Sequence, residues 1–176
     1  MNKNFPILIA EDFMLRQIIA TDIKDIYNGL SNPDVIKYYG VSYKSLEETQ
    51  QQMDWFKELK QSATGIWWAI VNKDNINFYG AVGFNNLSQI HKKAEIGFWL
   101  LPKYWGRGLM SKAVSLVCNY AYNDLQLHRI EALVETKNQN SKKLLKQLNF
   151  NIEGTLVDYE IKNGNFISVD IYAKFR

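Results

Sequence analysis

The stretch that decides the fold runs from residue 94 to residue 121 and reads AEIGFWLLPKYWGRGLMSKAVSLVCNYA, a strand pattern that passes through a glycine turn into a helix pattern. Glycine adopts backbone angles closed to other residues, so Gly106 and Gly108 allow successive N–H groups to turn inward and form a concave anion site. We expect the following helix, with Ser111 as its cap, to add free N–H groups and the positive end of its dipole.

The same pattern is also typical of a tight strand-to-helix turn that binds nothing. No Lys-Ser or Lys-Thr follows the glycines as in a P-loop, and no third glycine completes a dinucleotide fingerprint. Two interpretations of the turn therefore stay open, an anion cradle and a purely structural turn, and the rest of the chain must decide between them.

The composition is that of a globular domain. The chain has 176 residues, 47% of them hydrophobic and 14% aromatic, so we expect one domain over residues 1–176. Its 21 basic and 18 acidic residues are scattered, which gives no electrostatic footprint for nucleic acid. The apolar run in residues 1–10 is too short for a signal peptide or a membrane span, so we expect a cytoplasmic protein without a membrane partner. Cys118 lies in a helical pattern as a buried thiol, and His91 has no histidine nearby in sequence with which to bind a metal.

The periodicity predicts an α/β (α+β) fold with a mixed, mostly antiparallel central sheet of about seven strands flanked by helices. The predicted strands are 12–18, 66–71, 76–84, 94–101, 128–136, 150–159 and 166–175. The first predicted helix has its apolar positions at Ile23, Ile26, Tyr27 and Leu30 and can be capped by Thr21 and Asp22. The others are 34–39, 45–60, a helix from 111, and 139–148. The helical region before residue 61 covers one face or end of the sheet, where Tyr38, Tyr39, Trp55 and Phe56 either line a substrate pocket or pack in the core.

Four linked segments carry a family resemblance. They are Leu15-Arg16; residues 94–100 leading to Trp105-Gly106-Arg107-Gly108; Arg129-Ile130-Glu131-Ala132; and Asn138-Gln139-Asn140-Ser141 followed by Leu144-Leu145 and Leu148-Asn149-Phe150. In this order and at these separations the chain resembles the GNAT N-acetyltransferase superfamily, and within it the Rim-type ribosomal-protein branch. The resemblance covers nearly the whole chain.

The resemblance implies transfer of an acetyl group from acetyl-CoA to a primary amine. It implies that strand 98–101 splays from strand 128–136, so that unpaired backbone groups bond the pantetheine arm and an N–H near Leu100 stabilises the oxyanion. Arg107 either reaches a phosphate or is an ordinary surface arginine. The implied cofactor-binding residues are Phe98, Leu100, Leu101, Trp105, Gly106, Arg107, Gly108, Leu109, Met110, Ser111, Asn138 and Ser141.

The implied catalytic residues are Ser141, Glu95 and Glu131. Asn138 and Ser141 are also good helix caps; the resemblance implies that Asn138 bonds the pantetheine arm and that the Ser141 hydroxyl donates to the departing thiolate. Glu95 or Glu131 would act as general base, directly or through water, with a solvated face or a buried ion pair as the competing explanation. Glu95 is favoured because it lies nearer the strand segment that would bind the thioester.

Some positions depart from the family pattern. Met110 replaces a small residue and narrows the approach to the phosphates, whereas Asn149 replaces a glycine at a left-handed helix end that asparagine tolerates. Spermidine N-acetyltransferases are also similar, but they commonly carry a tyrosine acid at the position of Leu145, which cannot donate a proton. We therefore expect a protein or peptide N-terminal α-amine as acceptor. The alternatives are a polyamine or drug-like amine, or a non-catalytic CoA-binding sensor, and the sequence leaves a homodimer open.

Overall fold

The molecule is built on an open sheet of eight strands, described for residues 5–176 by a computed structural model. The strands are β1 (Leu8–Ile9), β2 (Phe13–Gln17), β3 (Ile66–Asn72), β4 (Phe78–Ser88), β5 (Lys93–Leu100), β6 (Arg129–Glu135), β7 (Asn151–Lys162) and β8 (Asn165–Phe175). Their order in the sheet is β1-β2-β3-β4-β5-β6-β8-β7. β5 and β6 are parallel and the other neighbours are antiparallel, which confirms the predicted mixed, mostly antiparallel sheet.

The strand beyond the predicted seven is β1, which spans two residues and is too short to show any periodicity. It lies within residues 1–10, for which the sequence predicts no signal peptide or membrane span; residues 1–4 of that segment fall outside the described residues. Over residues 5–176, no helix combines the length and the apolar character needed to cross a membrane.

Within residues 5–176, five α-helices cover the two faces of the sheet, as predicted. They are α1 (Ile23–Leu30), α2 (Pro33–Ile36), α3 (Leu46–Gln61), α4 (Leu109–Asn123) and α5 (Gln139–Gln147). Because side chains alternate along a strand, Trp68 and Ile70 of β3 pack in the core under α4, whereas Trp67, Ala69 and Val71 pack in a second core under α1 and α3.

The start of α4 corrects one prediction. The helix begins at Leu109 and its N-cap is Gly108, whose φ of 71° is left-handed. Ser111 is therefore the third helical residue and not the cap, and its own carbonyl accepts a bond from the Ser115 hydroxyl. Glycine adopts this left-handed angle without strain, and the helix therefore begins after Gly108 although glycine has no side chain to accept a capping bond. The preference of serine for N-cap positions did not decide where the helix begins.

Other helix ends follow the sequence more closely. Ser45 Oγ accepts from the Glu48 N–H at 3.1 Å as in the predicted capping box, but the Glu48 carboxylate accepts from the Lys44 N–H at 2.7 Å, one residue earlier than expected. Asp22 stands at the N-cap of α1 but does not cap it, because its carboxylate binds Arg16 at 2.7 Å. Asn149 has φ of 62°, which confirms the predicted left-handed helix end.

The hairpin of β7 and β8 is longer and more bent than predicted. Leu156 pairs with Val169 and Glu160 with Ile167, so residues 157–159 of β7 stand opposite the single residue Ser168. The Asp158 N–H donates to Ser168 Oγ at 3.0 Å. Extra residues in one strand bend it, and beyond this bulge Lys162, near the tip of the hairpin, donates to the Lys37 carbonyl.

β5 and β6 separate after a short pairing. Their parallel register joins Lys93–Glu95 to Arg129–Glu131 and, within the described residues, extends no further. Beyond Glu95, β5 stays paired with β4 up to Leu100, while β6 stays paired with β8 up to Glu135. The two strands thus splay, as the resemblance implied, and leave a gap in the middle of the sheet.

Candidate active site

The gap between β5 and β6 opens into a cavity of about 1090 Å³ that reaches from the glycine turn to the aromatic side chains that follow α2 and to Trp55 of α3. Most of the residues proposed from the sequence line it. These are Glu95, Phe98, Leu100, Trp105, Gly106, Arg107, Gly108, Leu109, Met110, Asn138 and Ser141. Three proposed residues do not line it: Leu101, Ser111 and Glu131.

Each of these three has a different place. Leu101 is buried in the core under α1 and α3, and its N–H donates to the Tyr79 carbonyl. Ser111 lines a shallow depression on another surface, together with Ala10 and Lys112. Glu131 lies on β6 in ion pairs that are described below. The structure therefore groups eleven of the fourteen proposed residues around one cavity.

The glycine turn has the geometry of an anion cradle. Gly106 and Gly108 have φ of 73° and 71°, and a Cβ built on either would have no atom within 4 Å. Both positions require glycine because of their left-handed backbone angles and not because of crowding. They leave open space at the start of α4. Met110 is 9% exposed and packs in the core under α4, which leaves the backbone of that turn accessible. A pyrophosphate fits such a turn, because N–H groups at a helix start bind anions.

The backbone of β5 turns polar groups into the gap. The Leu101 N–H donates to the Tyr79 carbonyl at 2.8 Å, and hydrogen-bonded residues alternate along an antiparallel strand. The N–H groups of Phe98 and Leu100 therefore point away from β4 and towards the splay. The Leu100 carbonyl accepts a bond from Trp105 Nε1 at 2.8 Å, which holds the tryptophan beside the turn. The Leu100 N–H remains as a donor in the gap.

Asn138 caps α5. Its Oδ1 accepts from the Ser141 N–H at 3.1 Å, so the capping interpretation of this pair is confirmed for Asn138. Capping uses the carbonyl oxygen of the asparagine and leaves its NH₂ group as a donor. Since both residues also line the cavity, the cap holds the Asn138 amide and the Ser141 hydroxyl at its edge. Leu145, by contrast, is fully buried in the core and does not line the cavity. The neighbouring Leu144 lines it.

The two candidate bases have different environments. Glu131 Oε1 lies 2.7 Å from Lys93 Nζ and 3.3 Å from Arg129 Nε, so ion pairing explains this glutamate. Glu95 accepts a bond from Asn86 Nδ2 at 2.9 Å and lines the cavity. Burial raises the pKa of Glu95 above its usual range, the bond from Asn86 opposes this, and the charges of Glu131 and Glu160 raise it further. A carboxylate with a raised pKa is a stronger base.

Aromatic side chains form the wall opposite the sheet. Tyr38, Tyr39 and Trp55 line the cavity, whereas Phe56 packs on Trp55 with ring centroids 5.4 Å apart, so both roles anticipated for these aromatics occur. Burial raises the pKa of the Tyr39 phenol, which keeps it uncharged. Trp67 also lines this wall.

Sequence reasoning missed the residues contributed by the tip of the hairpin. Glu160 and Lys162 of β7 line the cavity, as does Glu135 at the end of β6. They reach it because the bulge at residues 157–159 bends the hairpin, and no turn motif in the sequence marks that bulge. Trp99 was also missed: it lines the cavity, and its buried Nε1 has no hydrogen-bond partner in the part of the chain that is described.

Comparison with known proteins defines the class. A family model described as an acetyltransferase (GNAT) domain matches residues 12–151, and the chain belongs to this family. It is therefore an acyltransferase of the N-acetyltransferase type, with acetyl-CoA as the acyl donor. The polar edge of the cavity and the glycine turn fit that donor.

The chain is similar to two curated N-acetyltransferases and to a solved acetyltransferase structure. The uncharacterized N-acetyltransferase YoaA of Bacillus subtilis is 36% identical over 170 residues, which are 96% of each chain. The spermidine N(1)-acetyltransferase of Escherichia coli is 28% identical over 158 residues, 89% of this chain and 82% of that one. A solved structure of RimL, a ribosomal L7/L12 alpha-N-protein acetyltransferase in complex with coenzyme A, superposes with a TM-score of 0.87 at 22% identity, covering 97% of this chain and 98% of that one.

Proposed function

We propose that this acetyltransferase modifies the N-terminal α-amine of a protein or peptide by direct attack of the amine in a ternary complex. The observation that carries the proposal is the single cavity that joins the glycine turn, the splayed backbone of β5 and the carboxylate of Glu95. Donor and acceptor can meet there without a covalent enzyme intermediate. Cys118, the single cysteine of the chain, is buried in the core, and burial raises the pKa of its thiol to about 12, so it is no nucleophile.

The scheme assigns roles to the glycine turn with the start of α4, to Asn138, to Glu95, to the Leu100 backbone and to Ser141. Bound acetyl-CoA supplies the acetyl group as a thioester. The glycine turn and the start of α4 hold the phosphates, and the Asn138 amide binds the pantetheine arm. Glu95 accepts the proton that the amine loses, the Leu100 N–H donates to the oxygen on which charge develops, and the Ser141 hydroxyl donates to the departing sulfur.

The choice of an α-amine follows from its protonation. An amine attacks only when neutral, and an α-amino group with a pKa of about 7.7–8.0 is roughly a tenth neutral near pH 7. A lysine or polyamine amine with a pKa near 10.4 is neutral more than about a hundredfold less often. Without a tyrosine acid at Leu145, and with one candidate base in the cavity, the chain is better matched to the less demanding acceptor.

A small cationic amine is the second candidate. The cavity contains the carboxylates of Asp34, Glu95, Glu135 and Glu160, and carboxylates beside aromatic walls bind ammonium groups. The similar Escherichia coli protein acts, by its name, on spermidine. The carboxylates beside the aromatic wall therefore favour a polyamine or drug-like amine as acceptor if the α-amine proposal fails.

A panel of acceptors tests the proposal. Thiol release from acetyl-CoA is measured with short peptides that carry a free N-terminus, with the same peptides N-blocked, and with spermidine and butylamine; mass spectrometry locates the acetyl group. We expect the free peptides to have the highest kcat/KM and the blocked ones to show no turnover. Faster turnover of spermidine would replace the first candidate by the second.

A further inference from the structure

The tip of the β7 and β8 hairpin is fastened across the cavity by one lysine. Lys162 Nζ lies 2.6 Å from Glu135 Oε1 and donates to the Lys37 carbonyl at 2.7 Å. Its side chain is 22% exposed and that of Glu135 is 15% exposed, so the pair is largely removed from solvent. The bond to Lys37 joins β7 to the chain just after α2, on the side of the sheet where the acceptor cavity lies.

The partners of Lys162 form a site for an ammonium group. An ammonium has three donors and no acceptor, and a carboxylate together with a backbone carbonyl satisfies two of them. Lys37, Glu135 and Lys162 all line the same cavity as Glu95. The chain therefore fills, with its own ammonium, a position that a second cationic group of an acceptor would otherwise take.

We infer that Lys162 is a specificity-determining residue that selects against polycationic acceptors. It neutralises Glu135 and occupies the Lys37 carbonyl, so an acceptor that places one amine at Glu95 finds the ammonium site at Glu135 already filled. Acceptors with one ammonium, such as a peptide N-terminus, lose nothing by this arrangement, whereas a polyamine loses this site for its second charge unless it displaces the lysine. This inference rests on the proposed function and names the selectivity of the same cavity.

A second lysine provides a matched control. Lys142 Nζ also binds one carboxylate, Asp170 Oδ2 at 2.6 Å, and one carbonyl, that of Thr136 at 2.7 Å, with 18% of its side chain exposed. Within the described part of the chain, neither Lys142 nor Asp170 lines the cavity. Lys142→Met thus removes the same kind of bridge without opening an ammonium site beside the acceptor.

The experiment compares spermidine with butylamine, which shares its terminal aminobutyl unit but has a single amine. We expect Lys162→Met to raise the ratio of their kcat/KM values about tenfold, the effect of one charge-assisted contact. The double variant Lys162→Met/Glu135→Gln should return to the wild-type ratio, and Lys162→Arg and Lys142→Met should keep it. An unchanged ratio in Lys162→Met, or a gain that survives loss of Glu135, would overturn the inference.

Two further measurements keep the inference separable from the proposed function. Calorimetric binding of spermidine and butylamine to the CoA-saturated protein reports the ammonium site without turnover. Tighter spermidine binding in Lys162→Met but no acetylation of any amine would support the inference and reject the proposed function; equal binding would reject the inference. Glu135→Gln alone removes the carboxylate and keeps the lysine. The ratio of kcat/KM for spermidine to kcat/KM for butylamine should therefore fall or stay the same in this variant, and a rise would also contradict the inference.

Discussion

At the scale of single residues, the neighbours of a side chain decide what it can do. Glu95 and Glu131 are paired across β5 and β6 in the same register and have the same chemistry. Glu131 has two cationic partners, whereas Glu95 has a single amide donor and faces the cavity. The sequence alone could not separate them, because both alternate with apolar residues on their strands; the ion pairs that separate them come from Lys93 and Arg129.

Replacing Glu95 tests its role as the base. We expect Glu95→Gln to lower kcat with a peptide acceptor by at least about a hundredfold near pH 7, the contribution of a general base, with little change in the KM for acetyl-CoA. The loss should shrink as the pH rises towards 9, because the α-amine then deprotonates without help. Initial rates from pH 6 to 9 provide this measurement.

Glu131→Gln serves as the matched control, since it removes a carboxylate next to the splay but outside the cavity. We expect it to change kcat less than about fivefold, a barrier change of roughly 1 kcal/mol or less, because Glu131 is held in ion pairs outside the cavity and touches neither substrate. A larger kinetic loss in Glu131→Gln than in Glu95→Gln would exchange the two assignments.

The raised pKa of Glu95 also predicts how stability depends on pH. Because the folded-state pKa lies above the unfolded one, the protonated carboxyl favours the folded state, and this contribution is lost as the pH rises through the folded-state pKa. Glu95→Gln, which stays neutral, should therefore melt at a higher temperature than the wild type at pH 8, and the difference should shrink towards zero near pH 4.5. Thermal unfolding at both pH values checks this, and a lower melting temperature of the variant at pH 8 would contradict it.

At the scale of elements, the turn between β5 and α4 depends on backbone conformation more than on side chains. Both glycines have left-handed φ, and the helix starts at Leu109 because Gly108 can stand at its N-cap. The order of helices and strands could be predicted from periodicity, since most elements show it clearly. The N-cap at Gly108 could not, because propensity does not report φ, and the bulge in β7 could not, because no turn motif in the sequence marks it.

Substitution of the turn should separate binding from turnover. We expect Gly108→Trp to abolish acetyl-CoA binding, because a side chain at φ of 71° both strains the turn and fills the open space above it. Gly164 is the control: its φ is 76°, an added Cβ there also has no atom within 4 Å, and it lies in the hairpin turn far along the chain from α4. Gly164→Trp should carry similar strain and keep acetyl-CoA binding in calorimetry.

Ser141→Ala should give the complementary result. Because Asn138 still caps α5 through the Ser141 N–H, the helix should stay folded and acetyl-CoA should bind with a similar Kd. The hydroxyl that donates to the departing sulfur is lost, so kcat should fall. The fall should be moderate, because a thiol with a pKa near 8.5 already leaves readily. Equal loss of binding in Ser141→Ala and Gly108→Trp would reject both assigned roles.

At the scale of the whole molecule, the sheet is held together by two cores but is divided in the middle. The core under α4 and α5 and the core under α1 and α3 lie on opposite faces, and β5 and β6 share three residue pairs before they separate. The resemblance predicted this splay correctly, although the extent of the cavity needed the structure, since its far wall comes from segments distant in sequence such as α2 and the hairpin. A ligand in the gap would replace the missing contacts between the two strands.

Binding of acetyl-CoA should therefore stabilise the molecule as a whole. At a concentration of about 100 Kd, a ligand that binds only the folded state adds roughly 2.7 kcal/mol. For a domain of this size that corresponds to a rise in the melting temperature of about 5–10 °C. Thermal unfolding with and without acetyl-CoA measures the rise, and thiol release in the same samples should begin only when a peptide amine is added, because transfer in a ternary complex needs both substrates. Stabilisation without thiol release for every peptide and polyamine would instead identify the chain as a sensor that binds CoA, and release without any amine would contradict direct attack by the acceptor.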